Sequence, residues 1–206
     1  MRKQGNKRER IIRKVEDYVR ANMPNDLHHD YWHVKRVENY AIQIAGEEEA
    51  DEYIVRLAAL LHDIGRKSEK QVGHSHTIIG SEMARRVLGE LDVDNKTIKR
   101  VTACIASHSR ISSERKPESL EAKVVYDADG LDMVGAVGLL RTVLNAVIDG
   151  GNWGDIMCKV KWRLELLNDF KTSSGKRIVA EREELVKSFG DQLFRELKQG
   201  GLPVEV

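Results

Sequence analysis

His33 in DYWHVKRV, the adjacent His62 and Asp63 in LLHDIG, and Asp129 in YDADGLD are two imidazoles and two carboxylates in a chain with only seven histidines. Brought together, they make a mixed nitrogen and oxygen donor set. Such a set suits Mn, Fe, Ni, Co or Zn and leaves coordination positions for water and a phosphate oxygen. Structural zinc more often recruits thiolates, so the chemistry indicated is catalytic. Each residue alone has an ordinary reading: a lone His on an apolar helix is usually a hydrogen-bonded core residue, and Asp before Gly is a common turn former. The His62-Asp63 adjacency is the informative feature. Neighbours on a regular helix point about 100° apart, but at a helix end the backbone can turn both toward one ion, and Gly65 supplies that end.

Other polar groups lie close to these in sequence. Arg66 and Lys67 directly follow HDIG and could clamp a polyphosphate, although Glu69 and Lys70 also allow a solvated basic loop. His29 precedes His33 by four residues, so the two share a face if the helix begins early. Asp132, three residues beyond Asp129, would sit one turn along as a partner or a proton acceptor. His28 and His74 read as loop residues.

The elements that must position these groups read as helices. Ile11, Ile12, Val15, Tyr18 and Val19 mark one helical face ending at Pro24. Helices then follow over Tyr31 to Ala45 and Asp51 to His62, with a polar loop over 66–75. Thr77 to Leu88 and Asn95 to His108 are next, with Ile98, Val101, Ile105 and His108 on one face of the latter. After a second polar loop closing at Pro117, Glu118 to Asp127 is a short helix or turn. Leu131 to Ile148, apolar almost all round, reads as a central helix. Ile156 to Leu167 and an amphipathic stretch from Ile178 to Leu197 complete the chain. VVYDA at 124–128 is the only strand candidate, too short to found a sheet. The expectation is one all-α domain over 11–206, a compact bundle of eight or nine helices, behind a flexible basic N-terminus at 1–10.

Composition limits the partners. With 34 Lys and Arg against 33 Asp and Glu, the net charge is +1, so no global field argues for nucleic acid or an anionic membrane. Cys104 and Cys158 read as two reduced core thiols. No secretory segment opens the chain and no apolar run spans a bilayer, so a cytoplasmic protein is expected.

The segments HDYWHVKRV, AALLHDIG, HTIIGSEMA, IASHS and YDADGLDMVGAVGLLR resemble, in order, the HD-domain superfamily of metal-dependent phosphohydrolases. LELLNDFKTSSGKRIVAEREELVKSF extends the resemblance toward the small single-domain bacterial and archaeal branch of nucleoside triphosphate pyrophosphohydrolases, over roughly residues 28 to 198. The resemblance implies an HD-type helical bundle in which His33, His62, Asp63 and Asp129 hold a divalent metal ion: Mn, Ni, Co, Fe, Zn or Mg. It favours Asp129 over Asp127, because the family's ligand is the acid of its Ala-Asp pair. His76 and His108 match positions that in some relatives bind a second metal or the substrate phosphates; His29, placed by its spacing from His33 and not by the resemblance, could orient a ligand, bind phosphate or cap the helix. A basic residue often follows the Ala-Asp pair in this branch, whereas Gly130 stands here. The implied reaction is cleavage of (deoxy)nucleoside triphosphates to monophosphate and pyrophosphate by a metal-activated water, with Asp63, Arg66, Lys67 and Asp132 as catalytic candidates. Alternatives are a nucleoside monophosphate phosphatase, a phosphodiesterase, or a non-catalytic metal and nucleotide sensor. The expected partner is a small-molecule nucleotide, without membrane or nucleic acid, and a homodimer is left open.

Overall fold

A computed structural model describes residues 2–24, 29–113 and 115–202, excepting the side chains of residues 2–4 and 70. All regular structure among them is helical, as the periodicities predict, in ten helices where eight or nine are expected. These are α1 (Arg2–Asn22), α2 (Tyr31–Glu47), α3 (Glu52–Leu61), α4 (Arg66–Val72), α5 (His76–Glu90), α6 (Asn95–Ser107), α7 (Leu120–Met133), α8 (Gly135–Ile148), α9 (Trp153–Leu166) and α10 (Ser173–Gln199). The chain packs as two compact units, residues 1–129 and 130–206.

In the first unit α3 is the hub. It buries Ile54, Val55, Leu57, Ala58, Ala59, Leu60 and Leu61 and packs against α1, α2 and α6, while α5 packs on α6 and α4 on α5. Each buried Leu or Ile stabilises this arrangement by about 1.5–3 kcal/mol. Side-chain caps set where the helices begin. Asp30, Asp51, Ser75 and Asp94 accept hydrogen bonds from the first-turn amides of α2, α3, α5 and α6, each worth about 1 kcal/mol.

Two segments of this unit are helical where the sequence shows no apolar helical face. Residues 2–10, expected as a flexible basic end, are the first turns of α1. Arg8 lies 4.6 Å over the Tyr53 ring and Glu9 pairs with Arg56 at 3.1 Å, so α3 gives these polar turns partners. The segment 66–75, expected as a loop, contains α4, which Gly73 closes with φ 71°.

In the second unit α8, α9 and α10 pack on one another around Ala146, Ile156 and Val160, with Leu193 and Phe194 against them. The single central helix expected over Leu131 to Ile148 is broken. α7 ends at Met133 and Gly135 turns the chain with φ 76°. Nor is that stretch buried all round, because Leu140 is 67% and Val147 68% exposed. Of the two cysteines expected in the core, Cys104 is buried and Cys158 is exposed. No single helix among the described residues is long and apolar enough to cross a membrane.

Candidate metal centre

Five segments of the first unit deliver six side chains to one buried place. Asp30 caps α2 by accepting from the His33 amide at 2.9 Å, so His33 falls in the first helical turn. α3 ends at Leu61, and His62 and Asp63 lie in the tight turn that follows, held by the Ile64 amide on Leu61 O at 3.2 Å and the Arg66 amide on Asp63 O at 3.0 Å. This is the turning backbone that the adjacency of the two residues requires. His76 opens α5, His108 closes α6, and Asp129 lies in α7. All six are buried, none more than 3% exposed.

The geometry centres on Asp63. Its Oδ2 lies 3.5 Å from His33 Nε2 and 3.6 Å from His62 Nε2. Its Oδ1 lies 3.4 Å from His76 Nε2 and 3.5 Å from His108 Nε2. Asp129 Oδ1 stands 3.6 Å from His33 Nε2 and 4.0 Å from His62 Nε2. The donor atoms of His33, His62 and Asp129 lie within 4.8 Å of one another, as do those of His62, Asp63 and His108. His62 belongs to both groups, and the Asp63 carboxylate stands between the His33–His62 pair and the His76–His108 pair.

Hydrogen bonding fixes the imidazole tautomers. His62 Nδ1 donates to Ala59 O and His108 Nδ1 to Ile105 O, both at 2.7 Å. A carbonyl can only accept, so the proton sits on Nδ1 and Nε2 carries a lone pair. His76 Nδ1 meets Glu69 Oε1 at 3.0 Å in the same sense. The Nε2 atoms of His76 and His108 are buried without a hydrogen-bond partner. Leaving such atoms unsatisfied costs about 1–3 kcal/mol each, which a bound cation removes.

Electrostatics agree. Burial lowers the His62 pKa from 6.5 to about 4 against the pull of Asp63, keeping the ring neutral. Burial likewise lowers His76. For Asp63 burial opposes ionisation, but the Arg66 guanidinium beside it holds the carboxyl well below its usual range. Neutral imidazoles and ionised carboxylates are the forms that ligate a divalent ion, so the residues fit one.

The remaining candidates are placed differently. Arg66 donates through Nε to Asp63 Oδ1 at 2.9 Å and through Nη1 to Glu69 Oε2 at 3.4 Å, so it braces the carboxylates. Lys67 is exposed and outside the buried cluster. His29 precedes α2, which begins at Tyr31, yet its ring still meets the His33 ring edge-on at 6.2 Å. Asp132, a candidate proton acceptor, has Oδ2 bound by Arg141 Nη1 at 2.6 Å, which suits it to a buried ion pair. Asp127 is buried but belongs to neither donor group. His28 lies outside the described residues, and His74 is exposed. Glu69, read from sequence as part of a solvated loop, is the participant that pattern reasoning misses; its i, i+3 spacing from Arg66 is the signal that was available.

Comparison with known proteins places this geometry in a family. The HD domain model matches residues 31–134, which contain all six buried side chains. YpgQ of Bacillus subtilis is 30% identical over 175 residues, covering 82% of this chain and 84% of YpgQ. Its crystal structure in complex with ADP superposes with a TM-score of 0.75 at 26% identity, covering 92% of this chain and 96% of that one. A structure described as a predicted HD superfamily hydrolase, from an uncultured Thermotogales bacterium, gives a TM-score of 0.66 at 28% identity over 89% of this chain and 91% of that one. Ribonuclease Y of Acidothermus cellulolyticus is 30% identical over 171 residues, 83% of this chain but only 28% of that enzyme. With its family model matched over half the chain and its paired His62 and Asp63 at the centre of a divalent-metal donor set, the protein belongs to the HD domain family and is a metal-dependent phosphohydrolase.

Proposed function

We propose that the protein hydrolyses nucleoside triphosphates, deoxynucleotides foremost, to the monophosphate and pyrophosphate. The observation that carries the reading is the convergence of His33, His62, Asp63 and Asp129 into one buried donor set. The ADP complex of YpgQ, similar to this chain over most of its length, supports a nucleotide with linked phosphates as the ligand.

A divalent ion, when bound, lowers the pKa of a water and neutralises phosphoryl charge. His33, His62, Asp63 and Asp129 are the residues that hold it. His76 and His108, whose bare Nε2 atoms face the other oxygen of Asp63, hold a second cation. Arg66 keeps Asp63 ionised and aimed. Lys67 would supply a cation for the distal phosphates, and His29, whose ring meets that of His33, would be a further substrate contact. Cleavage at the α-phosphorus requires the β and γ phosphates to be held by cations away from the attacking water.

The likeness to ribonuclease Y favours phosphodiester cleavage as a second reading. The test is turnover of nucleoside mono-, di- and triphosphates and an oligoribonucleotide with added Mn, Mg, Ni or Co, with products resolved by 31P NMR. Pyrophosphate from triphosphates is expected. Orthophosphate from every triphosphate, or activity confined to monophosphates or the oligonucleotide, contradicts the proposal.

A further inference from the structure

We propose that Glu69 is a positioning residue that dictates which nitrogen His76 turns toward Asp63, and so completes the second half of the metal centre. The inference rests on the metal-centre reading above. Four side chains close a ring. Arg66 Nε donates to Asp63 Oδ1 at 2.9 Å and Arg66 Nη1 to Glu69 Oε2 at 3.4 Å. Glu69 Oε1 accepts from His76 Nδ1 at 3.0 Å, and His76 Nε2 returns to within 3.4 Å of Asp63 Oδ1. α4 makes the ring possible by placing Arg66 and Glu69 one turn apart directly after the His62-Asp63 turn.

A neutral imidazole has one N–H. An ionised carboxylate accepts and never donates, so Glu69 draws that proton to Nδ1 and leaves the lone pair on Nε2. His62 and His108 receive the same service from the carbonyls of Ala59 and Ile105. His76 receives it from a side chain, and a carboxylate is the stronger acceptor, which raises the basicity of Nε2. Arg66 shares its donors between Asp63 and Glu69, tying the two acidic groups into one electrostatic unit.

Glu69 Oε1 also accepts from the His76 backbone amide at 3.0 Å. A purely structural role, capping α5, must therefore be told apart from the positioning role. Imidazole 15N NMR of the full-length, metal-free protein makes that distinction. Wild type should show His76 protonated at Nδ1. Glu69→Ala should lose that single tautomer, and Glu69→Gln, whose amide oxygen can still accept, should retain it. Mn2+ titration by calorimetry supplies the second arm: Glu69→Ala should weaken one of two bound ions by roughly 10–100-fold and leave the other within about two-fold, with Glu69→Gln intermediate. An unchanged His76 tautomer in Glu69→Ala overturns the proposal, as does a loss of both affinities in parallel with the melting temperature. If wild type takes up no Mn2+, the metal-centre reading fails, and the tautomer arm still decides the role of Glu69.

Discussion

Asp63 works in two directions at once, each of its oxygens facing a different pair of imidazoles. That makes protonation states the first thing to test at the residue scale. The His62 pKa is about 4 in the folded chain against an ordinary 6.5. Because the folded value is depressed, the unfolded chain takes up the proton first as pH falls. The stability contribution is fully present above about pH 6.5 and is lost progressively toward pH 4. The urea midpoint of metal-free protein should drop across that window by an amount worth up to about 3 kcal/mol; a flat profile contradicts a buried neutral His62. A second residue-scale prediction separates the two acids of YDAD. Asp129→Asn should release metal at least 100-fold more readily, whereas Asp127→Asn should keep its metal and show its cost in stability. Comparing metal content and melting temperature of the two variants checks this.

At the scale of elements, the crossing of α5 over the His62-Asp63 turn decides whether His76 arrives. A Cβ on Gly65 would lie 2.4 Å from His76 O and 2.7 Å from Gly80 N. Gly65 is therefore needed for close approach, not for its backbone angle, which is right-handed at φ -80°. Gly65→Ala should destabilise by about 1–3 kcal/mol and lower metal affinity, while Gly46→Ala, with nothing within 4 Å of its Cβ, should stabilise by about 0.5–1 kcal/mol. Equal effects in a denaturation series would refute the crossing as the reason for Gly65. The same elements show what the amino-acid pattern carries. His33, His62, Asp63 and Asp129 stand out as a set only through the ordered motifs that resemble a known family, because they lie far apart in sequence and their spacing alone does not bring them together. α4 was not legible, since RKSEKQV has no apolar face and its helix is held by the Arg66 and Glu69 contacts that only folding makes. The break before α8 was hidden because an apolar run without period looks the same straight or bent; Gly135 and Gly138 were its only marks.

At the scale of the whole molecule, the six buried donors all lie within residues 1–129, so ions bound there would tie together α2, α3, α5, α6 and the part of α7 that carries Asp129. An ion at one hundred times its dissociation constant should stabilise the fold by about 2.7 kcal/mol, raising the melting temperature by roughly 5–10 °C, and chelator should reverse the shift. Whether one buried cluster both holds the ion and drives hydrolysis is decided by elemental analysis of wild type, His62→Ala and Asp63→Ala, with pyrophosphate release measured on the same preparations. The predicted result is at least one divalent ion per wild-type chain and metal-dependent release, with both lost in each variant while helical circular dichroism persists. A variant that keeps full metal occupancy or full turnover would show that the His62-Asp63 pair neither holds the ion nor serves hydrolysis.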